Sequence, residues 1–281
     1  MHVVLRDGRS LSYAEYGDRA GKPVLYFPGT PSSRLMRPPE APSIALGARI
    51  IVVERPGFGE STFQKRRKLL DWPADVCALA DALGLDCFPV VGTSAGGPYA
   101  AVCACKLPER VSRAAIVGGV GPTDLAGSVE EMPRVRRMGV AVARHVPWLL
   151  AAVLWLVANP QRDPERFFGK MVSGNSPVDQ EALRRPEVRA MLLASYQEAT
   201  RAGMRGFAQD AIILSSPWGF RLEEIAVPVD LWHGEEDANV SISAARYLAA
   251  TIPDCRATFL PGQGHWLHLE VWGEILSRLL F

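Results

Sequence analysis

The sequence predicts an α/β protein in which a mostly parallel, eight-stranded sheet is flanked by helices and interrupted by one all-helical insertion. Three observations lead to this fold class. Short, continuous apolar runs bounded by glycine or proline are typical of strands covered on both faces. Segments with helical periodicity separate these runs, as in sheets with crossover helices. Between residues 122 and 226 the alternation stops, and helical segments follow one another without a convincing strand.

Eight strands can be placed along the chain. The first two form a hairpin within residues 2–16, around the turn Asp7-Gly8-Arg9, because polar and apolar residues alternate there. The other six are the apolar runs 24–27, 50–53, 88–91, 114–117, 229–232 and 257–260. A strand, helix, strand order predicts right-handed crossovers, with helices on both faces of the sheet.

Apolar residues at helical spacing predict helices in the core and in the insertion. In the core these helices are 72–83, 96–106, 241–251 and 266–280. In the insertion they are 135–145, 148–157, 186–201 and 206–214. We expect residues 1–121 and 227–281 to form the core and residues 122–226 to form a helical cap, or lid. A tandem domain is disfavoured because strand-like runs resume after the insertion.

The composition excludes several classes of partner. Lysine and arginine number 31 against 30 for aspartate and glutamate, and a net charge of +1 gives no long-range attraction to nucleic acid or an anionic membrane. The opening residues lack a basic segment followed by an apolar run, which predicts a cytoplasmic protein. The five cysteines show neither CxxC spacing nor a histidine cluster, so we expect no disulfide framework, no metal and no other cofactor.

The longest apolar run covers residues 148–158. It falls well short of the roughly 20 residues that cross a bilayer, so no stable membrane insertion is expected. The run predicts a helix with an apolar face toward the protein interior, where it could line an apolar pocket, in preference to a membrane-surface helix. Nothing in the sequence fixes the oligomeric state.

A serine surrounded by small residues ends one predicted strand. Gly92, Ser94 and Gly96 form a G-x-S-x-G pattern, in which the serine occupies a sharp strand-to-helix turn that raises its hydroxyl group above the sheet. Glycines two residues before and after the serine let neighbouring chain pass close to it. A glycine-rich turn in any α/β protein can show this pattern by chance, so a nucleophile at Ser94 requires catalytic partners elsewhere.

A serine nucleophile needs a base, and the chain has five histidines. His2 is terminal, His145 lies in the predicted insertion, and His268 lies in the last predicted helix. His265 follows a strand through a Pro-Gly-Gln-Gly loop, from which its ring can reach the sheet edge, and we assign it as the base. His233 opens another loop, and we expect it to hold that loop by hydrogen bonding.

The loop after His233 offers the carboxylate that would orient the base. Asp237 is preferred, because a short aspartate side chain after a turn opened by glycine can be aimed rigidly at a histidine ring. Glu235 and Glu236 are interpreted as solvated turn residues. A divalent-metal site in this cluster is disfavoured, because no further histidine or paired aspartate lies nearby.

Two backbone N–H groups are candidates for the oxyanion hole. The first belongs to Ala95, immediately after the serine at the start of a helix. The second belongs to Thr30, in the bent loop that follows the strand 24–27. Both are main-chain donors, so a side-chain substitution would not remove them.

With Ser94, Asp237 and His265 in this order and a helical insertion before the acid, the chain resembles the α/β-hydrolase superfamily, in particular esterase-like serine hydrolases with a helical cap. Three further motifs agree with the resemblance. They are the opening hairpin at residues 9–18, a turn like D-R-P-G-x-G-x-S at 54–61, and an acid loop like G-x-x-D-x-x-V at 234–240.

The chain departs from the family pattern at two positions. Pro28 stands where many relatives have a histidine before glycine, which implies different support for the oxyanion loop. Glu54 stands where many have aspartate, which we interpret as a structural variation beside Arg55. Family members with an aspartate nucleophile, the haloalkane dehalogenases and epoxide hydrolases, are disfavoured because the elbow holds Ser94.

The resemblance implies a cofactor-independent carboxylesterase that hydrolyses small to medium apolar esters through an acyl-enzyme. A proline-iminopeptidase-like enzyme or a C–C bond hydrolase would share the triad and cap. The aminopeptidases generally have tryptophan where this chain has Ala95, and they need cap carboxylates. Glu198 and Asp210 are candidates for this role, but solvated helix residues are the preferred interpretation of both. A non-enzymatic ligand receptor or signalling protein on the same fold is the third hypothesis.

The substrate pocket is the least specified part of the site. The aromatic residues proposed to line it are Trp148, Trp155, Trp218 and Trp266, of which Trp266 is the strongest candidate because it adjoins the base. Aromatic residues of a helical insertion more often form its own core. Arg34 could bind a substrate carboxylate, but a structural salt bridge is the preferred interpretation.

Overall fold

The computed structural model describes residues 1–124, 129, 132 and 134–281, and its sheet has eight strands. The strands are β1 His2–Val4, β2 Ser10–Gly17, β3 Lys22–Phe27, β4 Ala48–Val53, β5 Phe88–Thr93, β6 Val111–Val117, β7 Val229–Gly234 and β8 Cys255–Leu260. Their order across the sheet is β1-β2-β4-β3-β5-β6-β7-β8. β2 pairs antiparallel with β1 and β4, and the other pairs are parallel. The predicted fold class is confirmed.

Eleven helices are found in the part of the chain that the structure describes. They are α1 Glu40–Ala45, α2 Trp72–Ala82, α3 Gly97–Lys106, α4 Arg134–His145, α5 Pro147–Val157, α6 Pro164–Ser173, α7 Pro177–Arg184, α8 Pro186–Ala199, α9 Arg205–Leu214, α10 Ile242–Thr251 and α11 His268–Leu280. The helices α4 to α9 connect β6 to β7. Residues 125–128, 130, 131 and 133 of the predicted cap lie outside the described residues, and the role of these helices as a cap stays a prediction.

Two apolar clusters, one on each face of the sheet, stabilise the core. Residues of β3 alternate between them: Leu25 and Phe27 pack with α2 and α3, and Val24 and Tyr26 pack with α11. The second cluster also receives side chains from α6, α7 and α8. A third, smaller cluster joins α4, α5 and α9. The insertion is therefore packed partly on the sheet and partly on itself.

None of the described helices is both long enough and apolar enough to span a lipid bilayer.

Candidate active site

Ser94 occupies a strained turn at the end of β5. Its φ angle is +54°, a left-handed conformation that non-glycine residues rarely adopt. A short 3-10 turn covers Ser94–Gly96, and α3 follows directly. Such strain costs of order 1–3 kcal/mol and persists where the surrounding structure imposes it. The local geometry is that of a nucleophile elbow.

Both elbow glycines are required by close backbone contacts. A Cβ atom at Gly92 would overlap the carbonyl group of Gly96, and one at Gly96 would overlap the carbonyl oxygen of Phe27. The loop after β3 also packs closely against the serine, because a Cβ atom at Gly29 would lie 3.2 Å from Ser94 Cβ. The spacing of the motif thus has a steric cause.

The Asp237 carboxylate accepts a hydrogen bond from His265. Its Oδ2 atom lies 2.8 Å from His265 Nδ1, and its Oδ1 atom accepts the N–H groups of Asn239 and Val240 at 2.7 and 2.9 Å. Burial alone would raise the pKa of Asp237, but the nearby His265 imidazole and these hydrogen bonds outweigh it and hold the pKa below its usual value. Asp237 is therefore ionised at neutral pH.

Two further histidines surround this pair. His233 is fully buried, with Nε2 3.9 Å from Asp237 Oδ2, and burial lowers its pKa. His268 is the first residue of α11, and burial, with a smaller effect of His265, lowers its pKa to about 3. Both rings are neutral at physiological pH, so neither adds positive charge to the site.

Arg55 supports the loop that contains Thr30. Its guanidinium group donates hydrogen bonds to the carbonyl oxygens of Pro28 and Gly29, the latter at 2.6 Å. In a trans peptide unit the C=O and N–H groups point in opposite directions. Because the Gly29 carbonyl faces Arg55, the Thr30 N–H faces away from it. This orientation suits a hydrogen-bond donor to an oxyanion. Arg55 also holds in place the loop in which Pro28 stands where many relatives have a histidine.

The insertion anchors Arg55 through Asp210 of α9. Asp210 is fully buried and accepts hydrogen bonds from Arg55 Nε at 3.1 Å, from Arg67 Nη2 at 2.9 Å and from the Tyr99 hydroxyl group. Burial would raise its pKa, but the two arginines outweigh burial and lower it. The prediction that Asp210 is a solvated helix residue or a ligand for a substrate amine does not fit this environment.

A second aspartate of the insertion holds the histidine loop. Asp179, in α7, accepts the backbone N–H of His265 at 2.8 Å and that of Trp266 at 2.9 Å. It is buried, and a Cβ atom at Gly264 would overlap its carboxylate. The sequence analysis missed Asp179, because a Ser-Pro-x-Asp segment resembles an ordinary helix start and its partners lie more than 80 residues away.

Asn175, between α6 and α7, joins the same loops. Its side-chain oxygen accepts hydrogen bonds from Trp266 Nε1, at 3.2 Å, and from the Asn239 amide group. Asn239 belongs to the loop of Asp237, and Trp266 follows His265. The inserted helices therefore contact both loops that contain the predicted acid and base.

One cavity unites most of the predicted site. It has a volume of about 120 Å³ and is lined by Ser94, Thr30, His265 and Trp266. Further apolar lining comes from Phe167 and Met171 of α6, Tyr196 of α8 and Met36 of the loop between β3 and α1, and the polar lining includes Ser32, Thr93, Asn175, Asn239 and His268. Ala95 is buried directly after Ser94. The catalytic roles of these residues stay predictions.

The other three tryptophans proposed for the pocket lie elsewhere. Trp148 and Trp155 are 78% and 51% exposed on α5, and Trp218 stacks on Phe220 inside the first core cluster. The apolar run of α5 predicted a helix correctly, but apolarity does not tell which of its faces packs inward. Arg34 forms ion pairs with Glu54, Glu60 and Glu198, as the structural interpretation expected.

Within residues 1–124 and 134–281, no group of three or more histidine, cysteine, aspartate or glutamate side chains is placed to hold a metal ion.

The sheet and the loops at its C-terminal edge define an α/β protein in which Ser94, in a strained strand-to-helix turn, and His265, paired with Asp237, line the same cavity. A family model described as alpha/beta hydrolase fold matches residues 22–143. The chain has the α/β-hydrolase fold, as the resemblance of its motifs predicted.

Relatives and solved structures agree on the fold and differ in activity. The chain is 26% identical to a 2-hydroxy-6-oxo-6-phenylhexa-2,4-dienoate hydrolase from Burkholderia cepacia over 242 residues, 82% of this chain and 74% of the relative. A thermophilic esterase from Thermogutta terrifontis superposes with a TM-score of 0.68 at 22% identity, covering 99% of this chain and 95% of the other. A bromoperoxidase from Bacillus anthracis superposes with a TM-score of 0.74 at 20% identity, covering 100% and 99%.

Proposed function

We propose that the protein is a serine carboxylesterase that hydrolyses small, uncharged esters. The observation that carries this proposal is that strained Ser94 and His265, which is paired with Asp237, line one small cavity whose lining, in the part of the chain that the structure describes, has no lysine, arginine, aspartate or glutamate. Esterases and C–C bond hydrolases both occur among the similar proteins, so the choice between them depends on the cavity.

In the proposed mechanism, the Ser94 hydroxyl group attacks the ester carbonyl carbon while His265 takes its proton. The ionised Asp237 carboxylate stabilises the imidazolium ion that forms. The N–H groups of Thr30 and Ala95 bind the oxyanion. Collapse of the tetrahedral intermediate breaks the ester bond, and His265 returns the proton to the leaving alcohol. Water then attacks the acyl-enzyme by the same route and releases the acid.

The cavity favours a short, neutral acyl group. Its volume of about 120 Å³ lies below the ~300–1,000 Å³ typical of ligand pockets. None of the described lining residues is a lysine or arginine, and His268 is neutral at physiological pH. A substrate carboxylate would lose its hydration there without gaining a cationic partner.

This charge argument disfavours the C–C bond hydrolase hypothesis. The substrate named for the Burkholderia relative is a dienoate, which is an anion at neutral pH. Arg34, the cation considered for a substrate carboxylate, does not line the cavity and is already paired with three glutamates.

The peptidase hypothesis requires a free carboxylate for a substrate amine. Asp210 is enclosed by arginines, and Glu198 is bound by Arg34 and Arg201. Neither lines the cavity.

The receptor hypothesis differs from ours in turnover: a receptor would release product very slowly, whereas an esterase completes many cycles.

Acyl length provides a direct test of the proposal. We expect kcat/KM for p-nitrophenyl esters to be highest with acetate or butyrate and to fall about 10- to 100-fold with octanoate, because a longer chain must displace packed side chains. Steady-state assays across the series measure this, with proline naphthylamide as the peptidase control. A profile that rises with chain length would contradict the small-cavity argument, and preferential cleavage of the naphthylamide would contradict the esterase.

Asp179→Asn tests the support of the histidine loop. An asparagine offers one oxygen where the carboxylate uses two, so the N–H of His265 or Trp266 loses its acceptor. An unsatisfied buried donor costs ~1–3 kcal/mol, and we expect kcat to fall about 10- to 100-fold with a smaller change in KM. Esterase kinetics and thermal unfolding measure the two effects.

Asp75→Asn is the matched control for Asp179→Asn. Asp75 is also a buried aspartate in the first turn of a helix, but it pairs with Arg9, away from the cavity. We expect Asp75→Asn to lower the melting temperature and leave kcat unchanged. Equal kcat values in the two variants would show that Asp179 has only a structural role.

A further inference from the structure

Helix α5 exposes a continuous apolar face to solvent. Trp148, Leu149, Trp155 and Leu156 are all exposed, and their spacing places them along one side of the helix. The opposite side packs against α4 and α9 through Leu150. Contiguous exposed apolar side chains mark an interaction site more often than single scattered ones do.

A cationic groove continues this apolar face. The groove has a volume of about 430 Å³, and Trp155 and Leu156 line it together with Arg162, Arg166 and Lys170. The Arg162 guanidinium group lies 5.9 Å from the centre of the Trp155 ring. No salt bridge joins any of these three cations to a residue in the described ranges. The groove thus offers free positive charge beside apolar side chains.

The surroundings add to the positive charge. Among the described residues, the groove itself has three cations to one carboxylate, that of Asp163, which as the N-cap of α6 accepts the Arg166 backbone N–H at 2.9 Å. The neighbouring helix α4 exposes Arg134 and Arg137, and residues 134–157 contain no aspartate or glutamate. The whole chain has a net charge of only +1, but this part of its surface is basic.

We propose that α5 and this groove form a docking site for an anionic lipid surface. Phosphate groups of the lipid would meet Arg162, Arg166 and Lys170, while the leucine and tryptophan side chains enter the boundary between headgroups and acyl chains. Tryptophan favours that boundary because its ring is apolar and its N–H is polar. The proposal concerns peripheral docking and is independent of the reaction at Ser94.

Charge favours a lipid surface over a second copy of the chain. In a two-fold dimer through this face, each copy would present the same basic patch to the other. Such like-charge contacts oppose association, whereas an anionic membrane complements them.

Vesicle flotation tests the proposal. We expect the 281-residue chain to float with vesicles of phosphatidylcholine and phosphatidylglycerol in equal parts, to bind phosphatidylcholine alone weakly, and to be released by high salt. The double variant Leu149→Ser/Leu156→Ser removes two apolar contacts and should lower the partition coefficient about 10-fold or more. The variant Arg166→Gln/Lys170→Gln should lower it about 10-fold at low salt.

Val4→Ser/Ile44→Ser is the matched control, because both residues are exposed and apolar but lie outside α5 and the groove. It should bind vesicles like the unaltered protein, and all variants should retain the circular-dichroism spectrum and cooperative thermal unfolding of the unaltered protein as a check on folding. Absence of flotation, or equal binding to both lipid compositions, would overturn the proposal. A dimer in analytical ultracentrifugation that Leu149→Ser/Leu156→Ser dissociates would assign the face to a second copy instead.

Discussion

Ser94→Ala is expected to lower kcat for short-chain esters by about a million-fold, the loss typical when a triad nucleophile is removed. Alanine keeps the Cβ atom and the same conformational strain at φ +54°, so the fold should be retained. Turnover of p-nitrophenyl butyrate measures the loss, and thermal unfolding checks the fold. The unaltered protein should also react with a fluorophosphonate probe at Ser94, as located by mass spectrometry.

Ser32→Ala is the control for this experiment. Ser32 lines the same cavity, and its hydroxyl group hydrogen-bonds to Ser195. We expect this variant to retain most activity and to react with the probe. Labelling at a different serine, or near-normal turnover by Ser94→Ala, would refute the assigned nucleophile. A correctly labelled Ser94 with no turnover of any ester would favour a receptor.

Asp210→Ala is expected to have the largest effect on stability. Removing this carboxylate leaves the buried Arg55 and Arg67 without their shared counter-ion, and breaking a buried ion pair in this way costs ~3–5 kcal/mol. Urea unfolding measures the loss. Asp81→Ala, which removes a partly exposed partner of Arg110, is the control and should cost about 0–1 kcal/mol.

Acid unfolding provides a second readout for Asp210. Its pKa is lower in the folded protein than the ordinary value of 3.8, because the arginines outweigh burial. A lowered pKa adds stability that is fully present above 3.8 and is lost as the pH falls below it. The unaltered protein should therefore lose more stability than Asp210→Ala in this range. Equal losses of stability in the unaltered protein and in Asp210→Ala would contradict the role assigned to the Asp210 carboxylate. Equal urea midpoints for Asp210→Ala and Asp81→Ala would contradict it as well.

The sequence alone predicted the sheet because its signals are local. Apolar runs bounded by glycine or proline indicate strands to within a few residues. Gly92 and Gly96 indicate the turn at Ser94, because a side chain at either position would overlap neighbouring backbone. Three helices were missed: α1, α6 and α7 contain six, ten and eight residues, and α6 and α7 begin with proline after a polar segment, which resembles a loop.

Contacts between distant parts of the chain account for the other misses. Asp179 binds a loop 86 residues further along, and Arg55 binds Asp210 across 155 residues. No spacing rule within the sequence connects such positions. The tryptophans of α5 were misplaced for a related reason: an apolar helix needs its neighbours before its inner face can be identified.

The hydrogen bonds from Asp179 and Asn175 to the loops of His265 and Asp237 limit how this chain can be recombined. Exchange of the insertion for that of another hydrolase would remove acceptors for main-chain and indole N–H groups beside the candidate active site. A functional chimera would need an equivalent aspartate and asparagine in the donor segment, or a redesigned histidine loop in the recipient. The insertion and the loops of the predicted acid and base would therefore have to be exchanged together.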